Sequence, residues 1–421
     1  PPNHDLPKNS ILMPHYGNIS TKTRHAASIR IQSSGGGRMR LGGIKGGGIP
    51  PSRAATTTYT YAWVDRGQGP RNWGGGGYHA IASNATGARL VALANDGTNV
   101  GMIIRSADYG VTWANETTPG TDQSWRAIAS SSTGQYVVAV TRVGDGVTTF
   151  NDIWLSADYG VTFATAGVGG PGALWRNVAS NDTGAILVAG TEGGATYRST
   201  DFGSTWSGPV GVGNDLRCLT CQTFGGGPVD TKFAATTDTG GGGTGNISTS
   251  TDSGANWIER NLGPPGNQPP TGQQWRGIAS NGDGTKLVAV IEAGDIWRST
   301  DSGATWVAMT AFATTPPTLG LNWQDIASSN DGTILVAVPE GAGGNIWKSI
   351  DSGVNWTEDT TVGAIKNWIS VASNAAGDRL AAVVFGGNVW TWPLVTTTPA
   401  FSCAPAPPYP MACIKPPRNT F

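Results

Sequence analysis

One short pattern occurs six times and puts a serine, an aspartate and a glycine at fixed spacing: Ser-x-Asp-x-Gly-x-Thr/Asn-Trp/Phe, clearest from Ser299 to Trp306. Its aspartates are Asp108, Asp158, Asp201, Asp252, Asp301 and Asp351. A serine beside an aspartate could act as a catalytic pair or ligate a metal. Six equivalent copies would then mean six equivalent sites, so a fastening used once per structural unit explains the number better. Asp in a turn accepts hydrogen bonds from nearby backbone N–H groups. Gly supplies a backbone angle that residues with a Cβ resist. The aromatic residue can pack under the turn and seal it.

Four arginines recur as well. Arg126, Arg176, Arg217 and Arg276 each take the second position of a repeated stretch such as Trp125-Arg126-Ala127-Ile128-Ala129-Ser130. One reading is structural, with each guanidinium pairing with backbone or with carboxylates between units. The other is an anion- or partner-binding ring, since guanidinium forks suit carboxylate and phosphate. Cleavage of a glycoside would instead need two carboxyl groups facing across a cleft, roughly 5–10 Å apart. Asp145, Asp230, Glu192, Glu292 and Glu340 are the carboxylates in or near the uneven loops, and their sequence context marks no pair among them.

His4, His15, His25 and His79 assemble into no Ser/His/Asp set, and His79 stands where other units carry arginine. Cys403 and Cys413 bracket a Pro-rich segment and are expected to close a disulfide loop. Cys218 and Cys221 are three apart on one strand, which points them to opposite faces, so they pair only if the strand bends. No histidine or second CxxC lies at zinc-site spacing, so neither a metal nor a cofactor is expected. Asn18, Asn84, Asn115, Asn181 and Asn246 are candidate glycan acceptors, while Asn355 lies inside a turn motif and is a poor one.

The elements that must position these residues follow the same beat. Successive motif aspartates are 50, 43, 51, 49 and 50 residues apart. Each unit reads as a first strand, a Gly-containing turn, an apolar second strand such as Leu287-Val288-Ala289-Val290, a third strand, the Asp-containing turn and a fourth strand. First strands number seven, at Tyr78, Trp125, Trp175, Leu216, Trp275, Trp323 and Trp368. Four short antiparallel strands per unit of this length are the signature of a propeller blade. The seventh unit ends at Gly387–Pro393 without an Asp-containing turn, and an orphan strand precedes the first unit. Residues 57–65 are therefore expected to complete blade seven, which removes two open sheet edges. The expected fold is all-β: a seven-bladed β-propeller of four-stranded antiparallel blades over residues 57–395.

Composition agrees. Charged residues make up only 13 %, while Gly 63 and Trp 17 are high, which suits tight turns and aromatic packing. No apolar run is long enough for a membrane helix, and no leader-like segment is visible at the start. Residues 1–56 read as a Gly-rich arm with too little apolar content to fold alone. Up to Arg53 it sets eight cations against Asp5, a surplus of seven, which leaves about −8 for the remainder of a chain whose net charge is −1. Residues 396–421 form a Pro-rich tail. Arm and tail are expected to dock on other protein subunits or on copies of the same chain. Nucleic acid is not the expected partner. The uneven connections, Thr141–Asp152, Gly225–Gly245, Gly263–Gln274 and Met309–Leu321, fall on the face opposite the regular turns, where binding is expected.

On the six Ser-x-Asp-x-Gly-x-Thr/Asn-Trp/Phe motifs, the chain resembles the Asp-box (BNR-repeat) β-propellers over roughly residues 57–395. That family includes sialidases, the sortilin ectodomain, xyloglucan-cleaving glycosidases and the photosystem II assembly-factor propeller. The resemblance implies a fold and a structural role for the motif, and it implies no particular activity. A sialidase would carry an arginine triad, a Tyr/Glu nucleophile pair and an Asp acid/base. The Arg-Ile-Pro signature near the start of such propellers is absent here. The expectation is a non-catalytic structural or interaction protein in an extracellular, cell-surface or virion assembly. The alternative is a carbohydrate-binding or glycan-cleaving propeller.

Overall fold

A computed structural model describes residues 57–397 except 61, 68–76, 96–100, 117–122, 143–151, 169–172, 213–214, 222–230, 239–244, 261–272, 310–320, 342–343, 364 and 393. The arm, the tail with Cys403 and Cys413, Asn18, Asp145, Asp230 and most of the uneven connections lie outside the described residues. Two compact units emerge, residues 61–394 and a second made of the two chain ends. Thr57–Thr60 and Leu394–Thr397 form a two-stranded sheet.

The larger unit is a ring of seven four-stranded antiparallel sheets, with no α-helix among the described residues. Blade 1 runs from Gly77 and blade 7 from Trp368. The second strands are mostly apolar, and in Leu287–Ile291 and Leu380–Val384 the run is continuous and every residue is buried. Sheets covered on both faces need such runs instead of alternation. Each core cluster joins two neighbouring blades. Leu93 and Ile103 of blade 1, for example, pack with Trp125 and Trp154 of blade 2.

Closure of the ring is shorter than the sequence suggested. Only Val64–Asp65 completes blade 7, pairing with Thr391 and Trp390. Thr57–Thr60 pairs with residues 394–397 instead. Trp63 does take the place of a turn aromatic, 5 % exposed against the Trp368 ring. A second closure runs through the turns between first and second strands. Ala375 N–H donates to Ala85 O, Ala85 N–H to Ser132 O and Ser132 N–H to Asp182 O, linking blades 7, 1, 2 and 3.

The Asp-containing turns are the fastenings their copy number implied. In each, one carboxylate oxygen accepts the serine hydroxyl two residues back at 2.8 Å and the backbone N–H four residues on; at Asp301 these are Ser299 and Thr305. The other oxygen accepts the Thr305 hydroxyl at 2.6 Å, and Ser299 Oγ accepts Gly303 N–H. Partial burial works against the Asp301 charge, but these hydrogen bonds outweigh it and hold its carboxyl below the usual range. Asp301→Ala should cost about 1–3 kcal/mol, since it orphans several donors at once. A melting temperature unchanged from wild type would contradict this.

Candidate functional site

The seven first strands stand side by side around the ring axis and enclose a cavity of about 420 Å³. Every first strand carries a pairing irregularity at its start. Pairing skips from Trp125 to Ala127, from Trp175 to Asn177, from Leu216 to Cys218 and from Trp323 to Asp325. A bulge of this kind leaves one residue unpaired and re-aims its side chain. The skipped residues include Arg126, Arg176, Arg217 and Gln324; in blade 5 the gap takes in Arg276 and Gly277, and in blade 1 His79. All but Gly277 line the cavity. The preceding tryptophans stay in the core, with Trp125, Trp175 and Trp275 fully buried.

The arginine ring is therefore real as a spatial set, but its members differ. Arg176 Nη1 binds Glu192, and Arg276 binds Glu292 through Nε at 3.0 Å and through Nη2. Gln324 Nε2 donates to Glu340. These carboxylates follow the second strand of the same blade, so the pairs form within blades and not between them as the repeat reading expected. One contact does cross, from Arg142 Nη2 of blade 2 to Glu192 of blade 3 at 2.9 Å.

Blade 2 breaks the rule. Its residue after the second strand is Arg142, at the position of Glu192, Glu292 and Glu340; each donates its backbone N–H to the residue before a first-strand Trp. Arg126 and Arg142 thus replace the Arg–Glu pair of blades 3 and 5. Among the described residues no carboxylate is hydrogen-bonded to Arg126, and the nearby Glu192 charge only partly offsets its cationic neighbours. Burial, with Arg142 and Arg176 beside it, pushes its guanidinium down to about 10, still cationic at neutral pH.

The remaining polar groups near the cavity are less basic. His79 is pushed down to about 4 by burial and by the Arg126 charge, so it is neutral at pH 7. Asp325 is pushed up to about 6 by burial, against three hydrogen bonds: Val371 N–H and Ser370 Oγ to one oxygen, Ile326 N–H to the other. Asn177 occupies the same place in blade 3 and ties to Arg217 O of the next blade. Blade 5 has Gly277 there, where a Cβ would lie 3.0 Å from Asp325 Cα. Cys218 is a free thiol whose pKa burial and Asp325 push up to about 12, so it stays protonated and unreactive. The Cys221 side chain lies outside the described residues.

Among the described residues no group of acidic, His or Cys side chains could hold a metal ion. No helix of the structure is long and apolar enough to cross a membrane. Asn84 and Asn181 are buried, and Asn84 Nδ2 is hydrogen-bonded to Thr133 O. Asn115 is exposed, and Asn246 Nδ2 is bonded to Glu259.

Strand pattern alone missed Arg142, Asp325 and Gln324 as parts of the site. Arg142 was findable, because aligning the ends of the second strands sets it against Glu192, Glu292 and Glu340. Asp325 carried no such signal, since its meaning depends on the neighbouring blade.

No family model matches the chain, and no curated protein matches its sequence. Solved structures do match in fold. A structure of YCF48 bound to D1 peptide is 14 % identical, with a TM-score of 0.53, covering 79 % of this chain and 96 % of that one. YCF48 from Cyanidioschyzon merolae is also 14 % identical, with a TM-score of 0.55 and coverage of 79 % and 98 %. A GH74 xyloglucanase from Xanthomonas campestris is 16 % identical with a TM-score of 0.57; the match covers 79 % of this chain and 53 % of the enzyme. Blade count, strand order and these likenesses define the chain as a seven-bladed β-propeller.

Proposed function

We propose that this chain is a non-catalytic interaction protein of the Asp-box propeller type, a subunit of a larger extracellular, cell-surface or virion assembly. Its recognition site is the arginine-lined mouth of the axial cavity, and the group received there is an anion on a partner protein. One observation carries this: in blade 2 the pair Arg126/Arg142 replaces Arg–Glu, which leaves Arg126 without a hydrogen-bonded carboxylate among the described residues. A partly buried guanidinium crowded by other cations gains strongly from an incoming carboxylate, which relieves that repulsion. A fold neighbour was solved with a bound peptide, which shows that a propeller of this shape can take one. Glycan cleavage is the weaker reading. Glu192, Glu292 and Glu340 are already engaged by Arg176, Arg142, Arg276 and Gln324, whereas that chemistry needs carboxyls free to trade a proton.

The test uses acidic peptides with free C-termini, titrated against wild type and Arg126→Gln. Wild type should bind with a steep salt dependence, and Arg126→Gln should lose about 2–3 kcal/mol of binding, some thirtyfold or more in Kd. Equal binding by the two proteins, or turnover of a glycoside panel by wild type, would sink the proposal.

A further inference from the structure

The face of the ring opposite the arginine mouth carries the regular turns, and its side chains are unevenly distributed. Eleven large apolar side chains are exposed among the described residues, and seven of them sit on Asp-containing turns. They are Tyr109 and Val111 in blade 1, Tyr159 and Val161 in blade 2, Phe202 in blade 3, and Ile350 and Val354 in blade 6, from 38 to 73 % exposed. Blade 7 lacks the turn and lies between blades 6 and 1, so these side chains flank the seam of ring closure on both sides. The equivalent positions of blades 4 and 5 hold Thr251, Ser253 and Ala255, and Thr300, Ser302 and Ala304.

The turn itself does not require the aromatics. The residue before the motif glycine has positive φ in all six copies: 62° at Tyr109, 67° at Tyr159 and 60° at Phe202, against 61°, 58° and 60° at Ser253, Ser302 and Ser352. That conformation disfavours bulky side chains. Serine serves in three blades, so three successive aromatics in the strained conformation indicate a demand from outside the turn. Nor do the rings fill the core, because each rests on the preceding blade with its other side in solvent. Tyr159 lies on Arg89, with the guanidinium 3.8 Å from its centroid, Tyr109 on Arg379 at 5.4 Å, and Phe202 on Tyr136 at 4.6 Å.

We propose that this crescent is a self-association surface that joins two copies of the chain face to face about a two-fold axis. Exposed apolar side chains gathered on one side of a ring face mark an interaction site. Its valines and isoleucine, mixed with aromatics and arginine, have the make-up of a protein interface core and not of a sugar platform. Charge selects the partner. Arg89 and Arg379 are stacked on the same turns that hold Asp158 and Asp108, so the turns of blades 1 and 2 carry both signs. A surface built for a strongly acidic or basic partner would carry one sign. A balanced one is complementary to itself, as an isologous two-fold contact requires.

The test is sedimentation velocity on the full chain across a wide range of concentration, with Tyr109→Ser/Tyr159→Ser/Phe202→Ser as the variant. Serine already occupies this conformation in blades 4 to 6, so the variant should fold as wild type does, losing only the ring contacts to Arg89, Arg379 and Tyr136. Wild type should show a reversible dimer, and the triple variant should dissociate at least about tenfold more readily. Arg126→Gln, on the other face, should dimerise as wild type does, which separates this result from the anion proposal. A wild-type chain that stays monomeric overturns the inference, including one that binds a glycan or a different protein through these rings. A dimer unaffected by the triple substitution also overturns it, since the contact would then lie in the arm, the tail or another face.

Discussion

Trp368→Ala should destabilise the propeller by about 3–5 kcal/mol, the range for deleting a large aromatic from a packed core. Trp368 is fully buried, with the ring of Trp63 6.3 Å away, that of Trp390 6.2 Å away, and its Nε1 donating to Gly344 O at 2.8 Å. Trp63 and Trp390 flank the closing contact, where Val64 pairs with Thr391 and Asp65 with Trp390. The damage should therefore centre on the seam. Hydrogen exchange at Val64, Asp65 and Thr391 should accelerate more than at the buried second strand of blade 3, Leu187–Thr191. A loss under about 1 kcal/mol, or uniform acceleration around the ring, would show that closure does not depend on this cluster.

The second large effect is one that wild type conceals. Asp325, with a folded pKa of about 6 against an ordinary value of 3.8, binds its proton more tightly in the folded state. Its contribution therefore rises as pH falls from about 6 towards 4, by up to about 3 kcal/mol. His79, with a folded pKa of about 4 against 6.5, is held neutral. Its contribution is complete above 6.5 and is lost over nearly the same interval, by up to about 3 kcal/mol. The two slopes oppose each other, so wild-type stability should be nearly flat between pH 6.5 and 4. His79→Gln should expose the Asp325 slope, with the melting temperature rising on acidification. Asp325→Asn should expose the His79 slope, with it falling. Flat profiles in both variants would mean that neither group titrates as its surroundings imply. Below pH 4 every variant should lose stability. The six turn aspartates have lowered folded pKa values, and their contribution disappears as pH falls through them.

Much of this molecule is local and hence legible in the chain. The turn around Asp301 is a contact set within seven residues, Ser299 to Thr305, so its residue types specify it wherever it occurs. Seven first strands, six such turns and one orphan strand are enough to count the blades and to require closure. The length of the closing strand was not legible. Thr57-Tyr59-Tyr61 alternates like a fourth strand, but Thr57–Thr60 pairs with residues 394–397, and pairing partners this distant leave no local mark.

The recurring Ser-x-Asp-x-Gly motif proved to be a fastening, and the sequence alone determined that, through its copy number. It also placed Arg126, Arg176, Arg217 and Arg276 at one repeat position. Only the tertiary structure decided what those arginines are. A bulge at the head of each first strand aims them at the axis, and the charge at the end of the second strand decides which of them is neutralised. The bulge arises from pairing between strands and the neutralisation from side chains sixteen to fifty positions apart, so neither could be read from spacing along the chain.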